Sequence, residues 1–179
     1  MVAKAIRSEH AEATKSDRSE EEGEMAGHIF QLLYRWQTPP GTIDHELFDE
    51  ELLKGWIAEA EKLCTQSGHW KIAQQLIGTS FVYAPLGVEG LLKYKVAAKI
   101  LDQSDSDEMR RGFTTGLFNL RGVYSYTAGK EELELANTYR QFAQRFEDGG
   151  FVRVATTLRM LSDSYRRESE REAKQNQLS

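Results

Sequence analysis

The residue types best suited to binding a ligand or a partner stand together in one short stretch, residues 118–126. Asn119, Arg121, Tyr124 and Tyr126 fall there, between two helical patterns. Arginine and tyrosine combine a large contact area with directional hydrogen-bond donors, which is why they are frequent at the centres of protein interfaces. Because loops between helices often carry function, we predict that these four residues bind a protein partner.

A role in the fold is the alternative for the same stretch. Asn119 can end a helix in a left-handed conformation, and Gly122 permits a tight turn. Arg121 can bind the carbonyl groups at the end of a helix. Among the four predicted residues we expect Arg121 to serve the fold, and Tyr124 and Tyr126 to be at least partly exposed.

The patterns that support catalysis, metal binding or cofactor binding are missing from the sequence. It has no Gly-x-x-x-x-Gly-Lys phosphate loop, no Gly-x-Gly-x-x-Gly and no Gly-x-Ser-x-Gly nucleophile motif. None of the histidines, at positions 10, 28, 45 and 69, has a second histidine three or four residues away, so no helix face is predicted to bind a metal. We therefore predict a protein that is not an enzyme and that binds no metal and no cofactor.

Several residues with large or reactive side chains are expected in the core. Cys64 is the only cysteine, which excludes an internal disulfide and a site built from several thiolates. It falls at an apolar position of a helical pattern, and we expect it to be buried. Trp36, Trp56 and Trp70 also lie on apolar stripes, and core packing is predicted for all three.

Charge is unevenly distributed along the chain. The protein has 23 basic and 28 acidic residues, a net charge of −5. Residues 1–28 and 44–62 have net charges of −3 and −5, whereas residues 150–179 carry +2. Nucleic acids and anionic membranes both require a clustered basic face, so binding to either is disfavoured. The pairs Arg110–Arg111 and Arg166–Arg167 have acids within four residues and are expected on solvated faces.

Two domains of different character are predicted. Residues 1–25 contain no aromatic residue and are rich in Glu, Ala and Ser, which indicates a flexible acidic leader or the former linker of a longer protein. Residues 26–179 form a single helical domain. Since no apolar run reaches the roughly 18 residues of a spanning helix, and no apolar signal region begins the chain, we predict a cytoplasmic protein.

Apolar residues recur at helical spacing along the predicted domain, and strand-type alternation is limited to a few residues. We therefore predict an all-α fold, an irregular bundle of about seven helices with a long C-terminal helix. Asp49 is expected to cap the second helix, and Gly149–Gly150 to join the last two helices as an antiparallel hairpin. Beyond Tyr165 the final turns should project into solvent, with Arg166–Glu170 and Glu170–Lys174 pairs. The predicted helices cover residues of about 25–37, 49–66, 70–83, 88–101, 107–118, 130–146 and 151–174.

Four segments in a fixed order carry a resemblance to a known group of proteins. They are Trp36-Gln-Thr-Pro-Pro-Gly-Thr42, Leu52-Leu-Lys-Gly-Trp56, Phe118-Asn-Leu-Arg-Gly-Val123 and Ala155-Thr-Thr-Leu-Arg-Met-Leu-Ser-Asp-Ser-Tyr-Arg-Arg-Glu168. Over about residues 29–173 the chain resembles the helical C-terminal region of large, uncharacterised bacterial proteins. The resemblance implies a bacterial source and a partner-directed C-terminal module of a larger regulatory, stress-response or defence system. It carries over no activity, and Tyr126, Thr127, Ala128 and Gly129 stand where the group has Ser-Arg-Gly.

The interpretation that these observations favour is a non-enzymatic protein–protein interaction module. One alternative is a nucleic-acid-associated or regulatory complex subunit, which would use five arginines if they cluster on one surface. Those arginines are Arg110, Arg111, Arg121, Arg166 and Arg167. A second alternative is an enzyme with its site on the 119–126 loop, which would require a deep pocket and acids of perturbed pKa. The partner and the oligomeric state are not determined by the sequence.

Overall fold

Six α-helices account for most of the residues that the structure, a computed structural model, describes. Those residues are 37–44, 47–84, 95–121 and 127–177, and the helices confirm the prediction of a mostly helical protein. The predicted leader and all but the last residue of the predicted helix over 25–37 lie outside them. In chain order the elements are β1 Thr42–Asp44, β2 Leu47–Phe48, α1 Glu50–Gln66, α2 Trp70–Ser80, a 3₁₀ turn Phe81–Tyr83, α3 Lys95–Leu101, α4 Asp107–Asn119, α5 Lys130–Asp148 and α6 Val152–Gln177.

The first part of the described chain is a short antiparallel hairpin of β1 and β2 followed by α1. Asp49 caps α1 as predicted, because its Oδ1 accepts hydrogen bonds from the backbone N–H groups of Glu51 (2.8 Å) and Leu52 (2.9 Å). The helix packs mainly against α2. Leu53 is therefore fully buried, whereas Trp56 is 40% exposed.

Two predictions of core packing on α1 are thus wrong. Trp56 was expected in the core and lies on the outer part of the apolar stripe. Cys64 was expected to be buried and is only half-buried. Both side chains lie on a part of the α1 surface that remains partly open to solvent. Trp70, at the start of α2, is half-buried and packs against the core, in agreement with its prediction, whereas Trp36 lies outside the described residues.

Helices α2 and α4 approach each other backbone to backbone. A Cβ added at Gly78 would lie 1.9 Å from the carbonyl oxygen of Met109, and one added at Gly112 would lie 1.8 Å from that of Gln75. The contact therefore requires glycine on both helices. Thr79 adds a hydrogen bond across it, from its Oγ1 to the carbonyl oxygen of Gly112 (3.1 Å).

The other helix pair is the antiparallel hairpin of α5 and α6, which the sequence predicted. Gly150 adopts a positive φ of 86° in the connecting turn, and the N–H of Phe151 donates to the carbonyl oxygen of Phe146 (2.8 Å). Side chains from both helices fill the core between them, with the Tyr139 and Tyr165 rings stacked at 5.7 Å. The hairpin supplies a large part of the described core: Ala136, Tyr139, Ala143, Phe146, Val154, Ala155, Leu158, Leu161 and Tyr165.

Helix α3 is connected to the start of α6 by a side-chain cap. Asp102 follows the last residue of α3, and its Oδ1 accepts from the N–H groups of Arg153 (2.6 Å) and Val154 (3.0 Å). These donors have no partner inside α6, because the first N–H groups of a helix point out of its end. The cap therefore fixes where α6 begins relative to α3 and α4.

The last turns of α6 differ from their prediction on one face. The Ser169 hydroxyl donates to the carbonyl oxygen of Gly129 (2.6 Å), and Glu172 Oε2 accepts from the Gly129 N–H (3.0 Å). This face holds the turn before α5 rather than projecting into solvent, whereas the opposite face is exposed as predicted. Within the described ranges, no helix combines the length and apolarity that a membrane crossing demands.

Candidate functional site

A groove of about 860 Å³ runs between α4 and α6. The two helices point in the same direction. Asp102, ahead of α4, contacts the start of α6, while Phe118, near the end of α4, stacks its ring on Tyr165 at 5.9 Å. The groove is lined by Gln75 of α2, by Asp107, Arg110, Arg111, Thr114 and Thr115 of α4, and by Thr157, Met160, Leu161, Ser164 and Arg167 of α6.

Arg110 belongs to the fold, although it lines this groove. It is only 6% exposed, so its predicted place on a solvated face is wrong. Its Nη1 donates to the carbonyl oxygens of Leu101 (2.5 Å) and Gln103 (2.7 Å), and its Nη2 pairs with the Asp107 carboxylate. Carbonyl groups at the end of α3 lack helical partners, and the guanidinium of Arg110 satisfies them.

Arg111, one position further along α4, has the opposite environment. Its side chain is 70% exposed, and it contacts Glu108 through Nη1 (3.2 Å). Glu108 also accepts from Gln75 Nε2 (2.6 Å) and Lys71 Nζ (3.2 Å). Hydrogen bonding from Gln75, and secondly from Lys71, holds the pKa of Glu108 below its ordinary value of 4.5. Glu108 is therefore ionised. The guanidinium of Arg111 remains a solvent-facing cation at the groove.

Arg167 joins the groove to a second cavity of about 390 Å³, an open depression on the surface of α6 lined by Arg167, Glu170, Arg171 and Lys174. Arg167, Arg171 and Lys174, here called the α6 basic strip, are spaced by four and three residues and so share one face of the helix. None of the three forms an ion pair within 4 Å in the described part of the chain. The sequence predicted ion pairs between Glu170 and Lys174 and between Arg166 and Glu170. Neither pair forms among the described residues.

The residues predicted to bind a partner have separate positions. Asn119 is exposed at the end of α4, one turn after Thr115 and on the same face of that helix. The guanidinium of Arg121 pairs with Glu132 of α5 and lies 5.5 Å from the centre of the Tyr165 ring. Tyr124 and Tyr126 lie outside the described residues. The partner-binding role of all four stays a prediction.

The Arg121–Glu132 pair is part of a buried polar cluster that the sequence did not reveal. Glu132 is fully buried, and its Oε2, like the hydroxyl of Tyr165, has no hydrogen-bond partner among the described residues. Burial, followed by the nearby Tyr139 hydroxyl, raises the pKa of Tyr165 to about 12, so this phenol is neutral at physiological pH. A buried pair of this kind joins the end of α4 to α5 and is costly to break.

The sequence analysis did not single out the groove. It noticed Arg111 and Arg167 but assigned both to ordinary solvated faces, and it gave Met160 no role. The available signal was the spacing Met160, Ser164 and Arg167, which places three side chains on one face of the last helix. Within residues 37–44, 47–84, 95–121 and 127–177, no three His, Cys, Asp or Glu side chains are grouped as metal ligands.

Comparison with known proteins yields no relative. The sequence matches no family model, and no curated protein and no solved structure shows significant similarity to it. The resemblance to the C-terminal regions of large bacterial proteins is therefore still a hypothesis. Any proposal about function depends on the geometry of the described residues.

Proposed function

We propose that this protein is a non-enzymatic interaction module that binds a segment of a partner protein in the groove between α4 and α6. The observation that carries the proposal is the composition of the groove, which brings the exposed Met160 together with Arg111 and Arg167. Met160 is 68% exposed, a large apolar surface for a residue on a solvated helix face. Methionine and arginine are both enriched at interfaces, because one adapts its shape and the other supplies several directional donors.

Partner binding is favoured over nucleic-acid binding by where the arginines lie. Of the five arginines that the nucleic-acid alternative requires, Arg110 is bound to carbonyl groups of the α3–α4 connection and Arg121 to the buried Glu132. Arg111 and Arg167 remain as exposed cations of the groove, Arg166 is exposed outside it, and the protein has a net charge of −5. The five arginines therefore do not cluster on one surface, which is the condition that the nucleic-acid alternative sets.

The proposal extends to the loop that the sequence singled out. Asn119 continues the face of α4 that carries Arg111 and Thr115, so a segment lying in the groove reaches the start of the 119–126 loop. Tyr124 and Tyr126 would contact the same partner there. The whole protein is proposed to be an irregular bundle of about seven helices that acts in the cytoplasm, as the C-terminal module of a larger bacterial regulatory or defence protein.

Selection of peptides from a random phage-displayed library on the purified protein tests this proposal. Peptides that bind the groove should lose at least about tenfold in affinity when Met160→Asp places a charge in it, a loss equal to about 1.4 kcal/mol. The control is Val152→Asp, since Val152 is a comparably exposed apolar residue of α6 (54%) outside the groove. Failure to select any peptide, or equal sensitivity to both substitutions in a fluorescence polarisation assay, would show the proposal to be wrong.

A further inference from the structure

We infer that the segment bound in the groove is acidic and that Arg111 and the α6 basic strip select it by charge. The inference rests on the proposed interaction function, which it deepens by naming the chemistry of the partner. The groove and the adjoining cavity share Arg167, and so they form one continuous surface along α6.

The charge of this surface is opposite to that of the protein. Its lining contains Arg110, Arg111, Arg167, Arg171 and Lys174 against Asp107 and Glu170, a net charge of +3 in a chain of net charge −5. Because Arg110 and Asp107 neutralise each other, the excess comes from Arg111 and the α6 basic strip. A basic groove in an otherwise acidic protein attracts anionic partners.

The groups that would bind carboxylates are available. The three cations of the α6 basic strip form no ion pair within the part of the chain described above, and Arg111 contacts Glu108 through one of its nitrogens only. Thr115 and Ser164 add hydroxyl groups to the lining, and neither forms a side-chain hydrogen bond to another described residue. Charge-assisted hydrogen bonds from arginine to carboxylate are about twice as strong as neutral ones, so acidic side chains are the partners that this set favours.

The spacing of the cations suits an extended chain. Arg167 and Arg171 are separated by about 6 Å along α6, since a helix rises about 1.5 Å per residue. In an extended segment, side chains on one face repeat every two residues, or about 6.6 Å. Acidic residues at alternate positions of an extended segment therefore lie opposite successive cations of the α6 basic strip. The exposed side chain of Met160 provides an apolar contact beside them.

An acidic peptide is favoured over a nucleic acid by the carboxylates that border the same surface. Glu170 lies within the second cavity, and Glu108 lies against Arg111. A phosphate backbone carries charge at every nucleotide and would bring phosphates next to these carboxylates. A peptide can place neutral residues opposite them, with its acids opposite the cations.

Fluorescence polarisation with labelled peptides of about ten residues tests the inference. The probes are a Glu-Ala repeat and the matched Gln-Ala repeat, which differ in charge but hardly in shape. We expect the Glu-Ala peptide to bind at least about tenfold more tightly, with an affinity that falls as salt is added. Arg167→Glu should abolish this preference. Arg166→Glu, a neighbouring exposed position that lines neither cavity, should change it less than about twofold.

Each other outcome has a defined meaning. Equal binding of the two repeats, no detectable binding of the Glu-Ala repeat, or equal effects of the two substitutions would overturn the inference. Tighter binding of a thymidine oligonucleotide than of the Glu-Ala repeat would overturn it in favour of nucleic acid. If library-selected peptides are neutral but sensitive to Met160→Asp, the interaction function stands and only the selection by charge is wrong. If no library peptide binds either, both fail.

Discussion

Replacing Gly112 with alanine probes the backbone contact between α2 and α4. The new Cβ would lie 1.8 Å from the carbonyl oxygen of Gln75, 2.6 Å from its carbonyl carbon and 2.8 Å from its Cα. All three atoms belong to the backbone, so no side chain can rotate to make room. Since Cβ contacts below 3.0 Å essentially do not occur, the distance to the oxygen must grow from 1.8 Å to at least that value. The helices would have to separate by about 1.2 Å, in an interior packed as densely as an organic crystal.

Three terms set the expected loss of stability. Overpacking of a core contact costs about 1–3 kcal/mol. The hydrogen bond from Thr79 Oγ1 to the Gly112 carbonyl oxygen, worth about 1 kcal/mol, is weakened by the same movement. Against these, alanine gains about 1 kcal/mol of helix propensity over glycine. The free energy of unfolding should therefore fall by about 1–3 kcal/mol, and Tm by roughly 2–12 °C for a chain of this size.

Gly55→Ala is the matched control. Gly55 lies inside α1, and a Cβ built on it has no neighbour within 4 Å. The same chemical change should therefore raise the free energy of unfolding by about 0.5–1 kcal/mol, through helix propensity alone. Urea denaturation followed by far-UV circular dichroism measures both variants. A Gly112→Ala protein as stable as the wild type, or a Gly55→Ala protein destabilised to the same extent, would refute the role assigned to the α2–α4 contact.

Three other substitutions test the contacts that position the groove, each by urea denaturation. Asp102→Ala removes the cap of α6 and should lower the free energy of unfolding by about 1 kcal/mol. Asp105→Ala, at an exposed site in the same turn, should change it by less than about 0.5 kcal/mol, and equal losses would argue against the cap. Arg121→Ala leaves the carboxylate of Glu132 buried without its cation and should lower the free energy of unfolding by about 3–5 kcal/mol. Adding Glu132→Gln in a double variant should restore part of this loss, and an Arg121→Ala protein of nearly wild-type stability would contradict the reasoning. Glu108 has a lowered pKa in the folded protein, so its charge contributes stability above its ordinary pKa of 4.5, and that contribution disappears as the pH falls through the lower folded value. The stability difference between wild type and Glu108→Gln should accordingly shrink from pH 7 to about pH 3, and a constant difference would refute it.

The parts of the fold that the sequence predicts are those set by neighbouring residues. Asp49 precedes two acids and an apolar stripe, and it caps α1. Gly149–Gly150 closes the α5–α6 hairpin, because residues that end one helix and begin another are local signals. The contact between Gly112 and Gln75 left no such signal. A glycine inside a helical pattern lowers helix propensity wherever it occurs, and only the facing helix determines whether the missing Cβ is required.

The candidate site was harder to predict because adjacent residues of one type have opposite roles. Arg110 and Arg111 differ by one position on α4, which turns them about 100° apart around the helix. That rotation directs one guanidinium to the carbonyl groups at the end of α3 and the other to solvent. Whether an arginine belongs to the fold or to a binding surface is therefore decided by the acceptor it faces. Arg121 has a buried carboxylate opposite it, and Arg167 has none among the described residues. The basic surface of this protein consists of the cations that the fold leaves exposed, and such residues can be identified only after the helices have been packed.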